Sequence, residues 1–514
     1  MGKAVPMQIN LVYPPITRPR VPIGIASLKA YMEANSGVSV KCFDANADCY
    51  ITAIVAIILG EINLGNSKDS ILEAIEFLWS GDIADFYDRK IYNRHIAAWV
   101  AFIARAMPNM GGAFFGNVLA RQAASVLENK PDIVGFSCIF NSQLPYAILM
   151  AKIIKGMSPG TQTVFGGSSV PDEPWGNPSV DHVIRGEGEK GLLALASGRI
   201  GPHNLDDMPY PDFSDFDLGS YYTPLPFVPI MGSRGCSWRR CAFCEHHKIY
   251  GGEYREASAD RVVDEMEYRV KRGVRMFGIV DEMVSPKRLL HLALAIQRRG
   301  LEVRYYLMAK PTTGFSREAL KEAAKSGCQY IMWGLESGCQ RVVDLMDKGI
   351  DVVGAEETMQ AAAAAGIKNH VFVIAGFPSE TEDEFRETLQ FLYRNKDIIH
   401  MVHKSIFALY EGTPIYRNPA KYHITQIHDR PGSLGYNVDT GIKQHQVYDM
   451  LKHYYTKFMW HLCRISPASG MMREHVLMQY SKGMGMEVGT VPKLEDIERC
   501  GINLLGYVNQ AKQP

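Results

Sequence analysis

Cys236-Ser-Trp-Arg-Arg-Cys241-Ala-Phe-Cys244 places three thiols within nine residues, directly after the apolar run Pro226–Met231 and the turn Gly232-Ser-Arg-Gly235. A thiolate is a soft ligand suited to zinc, Cu(I) or iron–sulfur clusters. Three thiols at one strand-to-loop junction can hold three irons of a [4Fe–4S] cube and leave the fourth open. A structural zinc site or a complete ferredoxin site takes four protein ligands. His246 and His247 follow the third thiol closely, so a zinc knuckle of three Cys and one His is the competing reading.

Outward from the thiols the pattern is repetitive. Strand-like runs at Arg275–Glu282, Glu302–Lys310, Tyr330–Ser337, Lys368–Gly376 and Ile399–Glu411 alternate with helical runs near Ala259–Gly273, Pro286–Gly300, Arg317–Gly327, Val353–Gly366 and Thr381–Asp397. Six β–α repeats starting at Pro226 predict a parallel sheet curled into a partial (β/α)6 barrel, like part of a TIM barrel. Chemistry in such barrels sits at the C-terminal ends of the strands, and the thiols fall at the end of the first.

The segments Ser-Arg-Gly235-Cys236, Cys241-Ala-Phe243-Cys244, Gly334-Leu-Glu336-Ser-Gly338 and Gly376-Phe-Pro378-Ser-Glu380-Thr381 resemble those of the radical S-adenosylmethionine (SAM) superfamily. The branch with an N-terminal cobalamin (B12) domain is the most similar, over about residues 7–425. One departure stands out: the family spacing is C-x3-C-x2-C, and this chain has C-x4-C-x2-C. The resemblance implies that Cys236, Cys241 and Cys244 ligate a [4Fe–4S] cluster. It also implies that Phe243, Asp281, Lys310, Glu336, Ser337, Gly376 and Pro378 border SAM. Phe243 reads equally well as simple packing, and any one polar strand tip as solvated surface.

The N-terminal part has its own organisation. Residues 7–13 read as a buried parallel strand stopped by Pro14-Pro15. Helix Ile25–Asn35 follows, then strand Val38–Asp44. Further strands at Ile133–Ser137, Thr161–Phe165 and Val180–Ile184 complete a Rossmann-like doubly wound sheet. Glycines at strand ends, Gly166-Gly167 among them, let a bulky ligand approach the backbone. There is no GxGxxG, so a nicotinamide cofactor is not expected. Through the resemblance, Pro14, Pro15, Asp44, Ser137, Gln143, Gly166, Gly167, Glu187 and Gly188 are candidate cobalamin contacts. The D-x-H-x-x-G motif is absent, which implies cobalamin without a histidine lower ligand. A degenerate domain that has lost cobalamin is the alternative.

The domain plan is therefore 1–202 with a helical insertion at about 51–128, a linker at 203–225, the barrel at 226–411 and a mostly helical C-terminal domain at 412–514. His453 and Tyr454, on a helical run at Gln444–Cys463, are candidate catalytic residues facing substrate; ordinary packing is the alternative.

Composition narrows the function. Over 514 residues Lys+Arg and Asp+Glu are equal at 55 each, which argues against nucleic-acid partners. Ten cysteines, mostly scattered, make no disulfide framework and fit a reduced cytoplasmic setting. The longest apolar run is too short to span a bilayer. The resemblance implies a class B radical SAM methyltransferase. It would methylate an unactivated carbon of a peptide or natural product through a 5′-deoxyadenosyl radical and methylcobalamin. An electron donor such as flavodoxin or ferredoxin would be its partner. A non-methylating enzyme forming or rearranging rings is the alternative within the family, and a non-catalytic zinc- or cobalamin-binding regulator the alternative outside it.

Overall fold

The computed structural model describes residues 6–16, 20–58, 68–80, 88, 90–92, 94–99, 112–171, 176–221, 223, 225–246, 249–430, 433–452 and 473–481. Two compact units divide between Pro226 and Phe227.

In the first unit β1 (Gln8–Tyr13) leads through α1 (Ile23–Ser36) to β2 (Ser39–Asp44). The insertion follows as α2 (Ala45–Ile58), α3 (Lys68–Ser80) and α4 (Gly112–Leu127). Then come β3 (Ile133–Ser137), α5 (Leu144–Met157), β4 (Gln162–Gly166), β5 (His182–Ile184) and α6 (Gly188–Ser197). The strands are parallel in the order β2-β1-β3-β4-β5. Ile9, Leu11 and Val12 are buried, as a central strand covered on both faces requires. Tyr146, Ala147, Met150, Ala151 and Ile154 form one apolar stripe of α5 against Phe136 and Phe165. The chain reverses direction across the sheet between β1 and β3, and such sheets bind ligands in the crevice at that switch point.

Residues 203–225 lie along this unit. Lys29 Nζ is 2.7 Å from Asp215 and 3.3 Å from Asp212. The Cys42 N–H donates to Asp215 (2.9 Å) and the Tyr221 hydroxyl to Asp44 (2.6 Å). Phe213, Phe216, Tyr221 and Leu225 are buried.

The second unit begins with β6 (Phe227–Ile230) and a short antiparallel ribbon, β7 (Ser233–Arg234) with β8 (Arg255–Glu256). The barrel repeats follow: α7 (Ala259–Val270), β9 (Met276–Ile279), α8 (Pro286–Arg298), β10 (Arg304–Ala309), α9 (Arg317–Lys325) and β11 (Cys328–Glu336). They continue with α10 (Gln340–Leu345), α11 (Val352–Ala364), β12 (Lys368–Ala375), α12 (Glu382–Arg394) and β13 (Ile399–Ile406). The six barrel strands are parallel in the order β13-β12-β11-β10-β9-β6. Ser258, Ser285, Ser316, Asp351 and Thr381 cap α7, α8, α9, α11 and α12, each side-chain oxygen accepting from a first-turn N–H. Each such cap stabilises its helix by about 1 kcal/mol.

After β13 come α13 (Pro414–Arg417), β14 (Ile424–Arg430), β15 (Ser433–Val438), α14 (Val447–Met450) and α15 (Arg473–Tyr480). β14 and β15 form an antiparallel hairpin that the expectation of a mostly helical segment does not contain. The hairpin's Tyr436 and Val438 pack on Phe377, Phe407 and Ile415.

The two faces of the barrel sheet differ. Trp333 is fully buried on one, its Nε1 donating to Asn369 Oδ1 (2.7 Å) and its ring edge-on to Phe315 (5.2 Å). Across the other runs a row of rings: Phe227 against Tyr306 (6.1 Å), Tyr306 against Tyr330 (4.9 Å) and Tyr330 against His370 (4.3 Å). Gly278 permits the first contact, since a Cβ there would meet both Tyr306 and Phe227 at under 3 Å. α15 covers this row, its Tyr480 hydroxyl 2.9 Å from His370 Nε2. Trp333→Ala removes the largest side chain of the opposite face and leaves the Asn369 carbonyl unpaired. A loss of about 3–5 kcal/mol in chemical denaturation is expected.

Candidate active site

The cysteine loop, 235–254, hangs between β7 and β8. Asp281, just beyond β9 and fully buried, accepts from the N–H groups of Gly232 (2.6 Å) and Ser233 (2.9 Å). Arg288 from α8 lies 3.4 Å from Asp281 and donates to the carbonyls of Gly232 and Ala257, both at 2.8 Å. One ion pair thus fastens both ends of the loop's ribbon. Burial pushes the Asp281 carboxyl upward against the Arg288 charge and the two N–H donors.

Cys236, Cys241 and Cys244 are free and partly exposed. Burial raises the thiols of Cys241 and Cys244, the latter to about 12. The thiols also raise one another: a charge on Cys236 raises Cys241, and one on Cys241 raises Cys244. Deprotonated together, the three would repel one another, and a metal cluster would supply the positive charge that offsets this. His246, the nearest described alternative ligand, has its Nδ1 3.0 Å from Glu282; His247 lies outside the described residues.

Several predicted strand tips gather at these thiols. Glu336, in a left-handed conformation at φ 71° where β11 bulges, pairs with Lys348 Nζ at 2.7 Å. Lys310 Nζ donates to the Lys348 carbonyl (3.2 Å) and sits 3.3 Å from the centre of the Trp238 ring. Lys348 Nζ is 5.5 Å from the Phe243 ring centre. Both ammonium groups and the Glu336 carboxylate act electrostatically on Cys241. Burial, with the Lys348 charge beside it, lowers Lys310 to about 8.

Other predicted residues serve packing. Ser337 is fully buried and shares a hydrogen bond with Thr388 (3.0 Å) on α12. Gly376 and Pro378 form a turn closed by Glu380, whose Oε2 accepts from the Gly376 N–H (2.6 Å), while Tyr436 donates to the Gly376 carbonyl (3.2 Å). Asp281 is engaged as described. His453 and Tyr454 lie outside the described residues.

At the switch point of the first unit, Pro14-Pro15 follow β1 and Ser137 ends β3. Gln143, fully buried, donates to the Pro14 carbonyl (2.7 Å) and accepts from Ile139 and Phe140 N–H (2.8 and 3.0 Å). Its amide ties the two strand ends together. Gly167 has φ 106°, and a Cβ there would stand 2.3 Å from the Cys138 carbonyl oxygen, so only glycine lets β4 end flush with β3. Asp44 caps α2 through Asn46 and Ala47 N–H, both at 3.0 Å, and burial pushes its carboxyl to about 6. Glu187 precedes α6 with its carboxylate 3.6 Å from His203 Nδ1, and Gly188 packs on Leu28 of α1. Ile139 and Phe140 stand 41% and 40% exposed beside the crevice. An exposed apolar ledge at a switch point suits the face of a macrocycle.

Sequence reasoning missed Lys348, the Ile139-Phe140 ledge and the histidine pair His370–His403 (3.3 Å). Lys348 and the ledge sit in loops without period. The histidines come together only by strand pairing of β12 with β13.

Two sequence profiles match this chain: the B12 binding domain over residues 88–196 and the radical SAM superfamily over 230–392. The chain carries a B12-binding domain followed by a radical SAM domain. An uncharacterised methyltransferase of Pyrococcus horikoshii, PH0819, is 27% identical over 56% of the chain and 69% of its own length. The hopanoid C-3 methylase of Methylococcus capsulatus is 26% identical over 58% of the chain and 62% of its own length. The match thus spans under two thirds of the second relative. The structure of the cobalamin-dependent SAM radical enzyme OxsB with aqua-cobalamin bound superposes with a TM-score of 0.59 at 13% identity, covering 98% of this chain and 81% of that one. The radical SAM domain takes a [4Fe–4S] cluster and SAM, and the B12 domain takes cobalamin. The partly exposed thiols with the charges of Lys310 and Lys348 beside Cys241 are the donor set the first requires, and the exposed Ile139-Phe140 ledge at the switch point suits the last.

Two outcomes follow. Arg288→Met strands the Asp281 charge and two carbonyls in the interior, so a loss of about 3–5 kcal/mol in denaturant melts is expected. Glu380 is 1% exposed, and burial, reinforced by Glu384, pushes its carboxyl to about 8. Its folded pKa lies above its unfolded one, so between about pH 4.5 and 8 the unfolded chain releases a proton that the folded chain keeps. Stability falls across that window by at most about 1.4 kcal/mol per pH unit. Glu380→Gln flattens that slope in melts run from pH 5 to 8.

Proposed function

We propose that this chain is a methyltransferase that places a methyl group on an unactivated carbon of a small natural-product precursor or a peptide. The observation that carries the reading is the pairing, in one chain, of the three-thiol loop at a barrel rim with a switch-point crevice of the 2-1-3-4-5 order, alongside methyltransferase relatives. When bound, the cluster with SAM supplies a 5′-deoxyadenosyl radical and cobalamin carries the methyl group.

The chain's own residues do the rest. Cys236, Cys241 and Cys244 would hold the cluster, which would bind SAM through its amine and carboxylate. Lys310 and Lys348 offset the negative charge of the thiolates. Phe243, half-buried beside Lys348, offers a flat apolar surface to the adenine. Gln143 and Gly167 hold the ends of β1, β3 and β4 together at the switch point, and the Ile139-Phe140 ledge would meet the apolar face of the corrin. No D-x-H-x-x-G motif is present, in keeping with cobalamin held without a histidine below. The eight cysteines among the described residues are free thiols, as suits a reducing cytoplasm and an electron donor such as flavodoxin or ferredoxin. No described helix is long and apolar enough to cross a membrane.

Anaerobic purification with hydroxocobalamin tests this. About four irons, one cobalt and SAM-dependent 5′-deoxyadenosine are expected, with the irons lost in Cys241→Ala. SAM bearing a deuterated methyl group then labels the product. 5′-Deoxyadenosine without label transfer favours a ring-forming enzyme, and zinc without iron overturns the reading.

A further inference from the structure

The extra residue of the C-x4-C loop has a structural use. Arg239 adopts φ 54°, a left-handed turn that absorbs one extra residue. Beside it, Trp238 lies against the turn Met346-Asp-Lys-Gly349. Its Nε1 donates to the Asp347 carbonyl at 2.7 Å. Gly349, at φ 62°, opens the slot: a Cβ there would stand 2.1 Å from the indole. Lys310 Nζ covers the ring at 3.3 Å and the Arg240 guanidinium lies 5.0 Å away. Arg240 is also paired with Asp347 at 3.0 Å, and the Ala242 N–H donates to the Met346 carbonyl at 2.8 Å. The stretch between the first and second thiols, and the residue after the second, are therefore sewn to one turn at three points.

We propose that Trp238 is a positioning residue for the iron–sulfur cluster: its indole, seated in the Gly349 slot under Lys310, fixes Cys236 and Cys241 at the longer spacing. The argument rests on the cluster reading and on the Trp238 and Arg240 contacts, which a C-x3-C loop, one residue shorter, has less chain to make. The cation over the indole and the hydrogen bond both favour this seat. Both contacts also hold the Lys310 charge beside Cys241.

The test compares wild type, Trp238→Phe, Trp238→Ala and Gly349→Ala after anaerobic reconstitution. The readouts are iron per chain, the rate of iron loss to a chelator, the electron paramagnetic resonance spectrum of the reduced cluster and the melting midpoint of the cluster-free chain. The proposal expects iron loss about tenfold faster in Trp238→Ala and Gly349→Ala, and partial rescue by Trp238→Phe, which keeps a ring under Lys310. The cluster spectrum should change while the cluster-free midpoint stays close to wild type. If Trp238→Ala does not fold, Trp238→Phe decides: it should lose iron faster than wild type at an unchanged midpoint. Wild-type rates and spectra in all folded variants overturn the proposal. Failure of the wild-type chain itself to take up iron overturns the cluster reading instead.

Discussion

A buried charge pair underlies the barrel rim. Asp281 lies just past the end of β9 and Arg288 on α8, and both are buried. Between them they engage two N–H groups and two carbonyls of the chain entering and leaving the cysteine ribbon. The pair lies in the interior, where leaving either partner alone is costly, so the ribbon is held as firmly as the strand and helix that supply it. The thiols inherit that rigidity even though their own loop carries no regular structure.

The same economy of roles runs through the rim. Residues that looked like ligand contacts divide into those gathered with charged groups beside the thiols and those engaged by the protein's own groups away from them. Lys310, Glu336 and Phe243 are of the first kind, arranged about Lys348. Ser337, Gly376 and Asp281 are of the second, and they build the walls. In the first unit Gln143 and Asp44 have their polar atoms engaged, while Ile139 and Phe140 keep open surface.

Much of this was legible in the sequence because the relevant signals are local. The five capped helices each announce themselves by Ser, Asp or Thr before an apolar stripe, and the barrel strands lie between them within a few residues of where alternation of pattern puts them. The thiols need no folding to be seen together. What was not legible depends on partners distant along the chain: Lys348 acquires meaning only opposite Glu336, and His370 only beside His403 and Tyr480. The β14–β15 hairpin was missed because its polar, mixed residues carry neither a helical nor a clean strand period. Trp238 stood in plain view in the cysteine motif, but its seat, Gly349, is more than a hundred residues away.

The row of rings from Phe227 to His370, capped by Tyr480, occupies the early part of the barrel strands. It makes that end a solid floor of stacked side chains. Among the described residues, a ligand of the proposed enzyme therefore has its way to the thiols at the opposite rim and not through this floor.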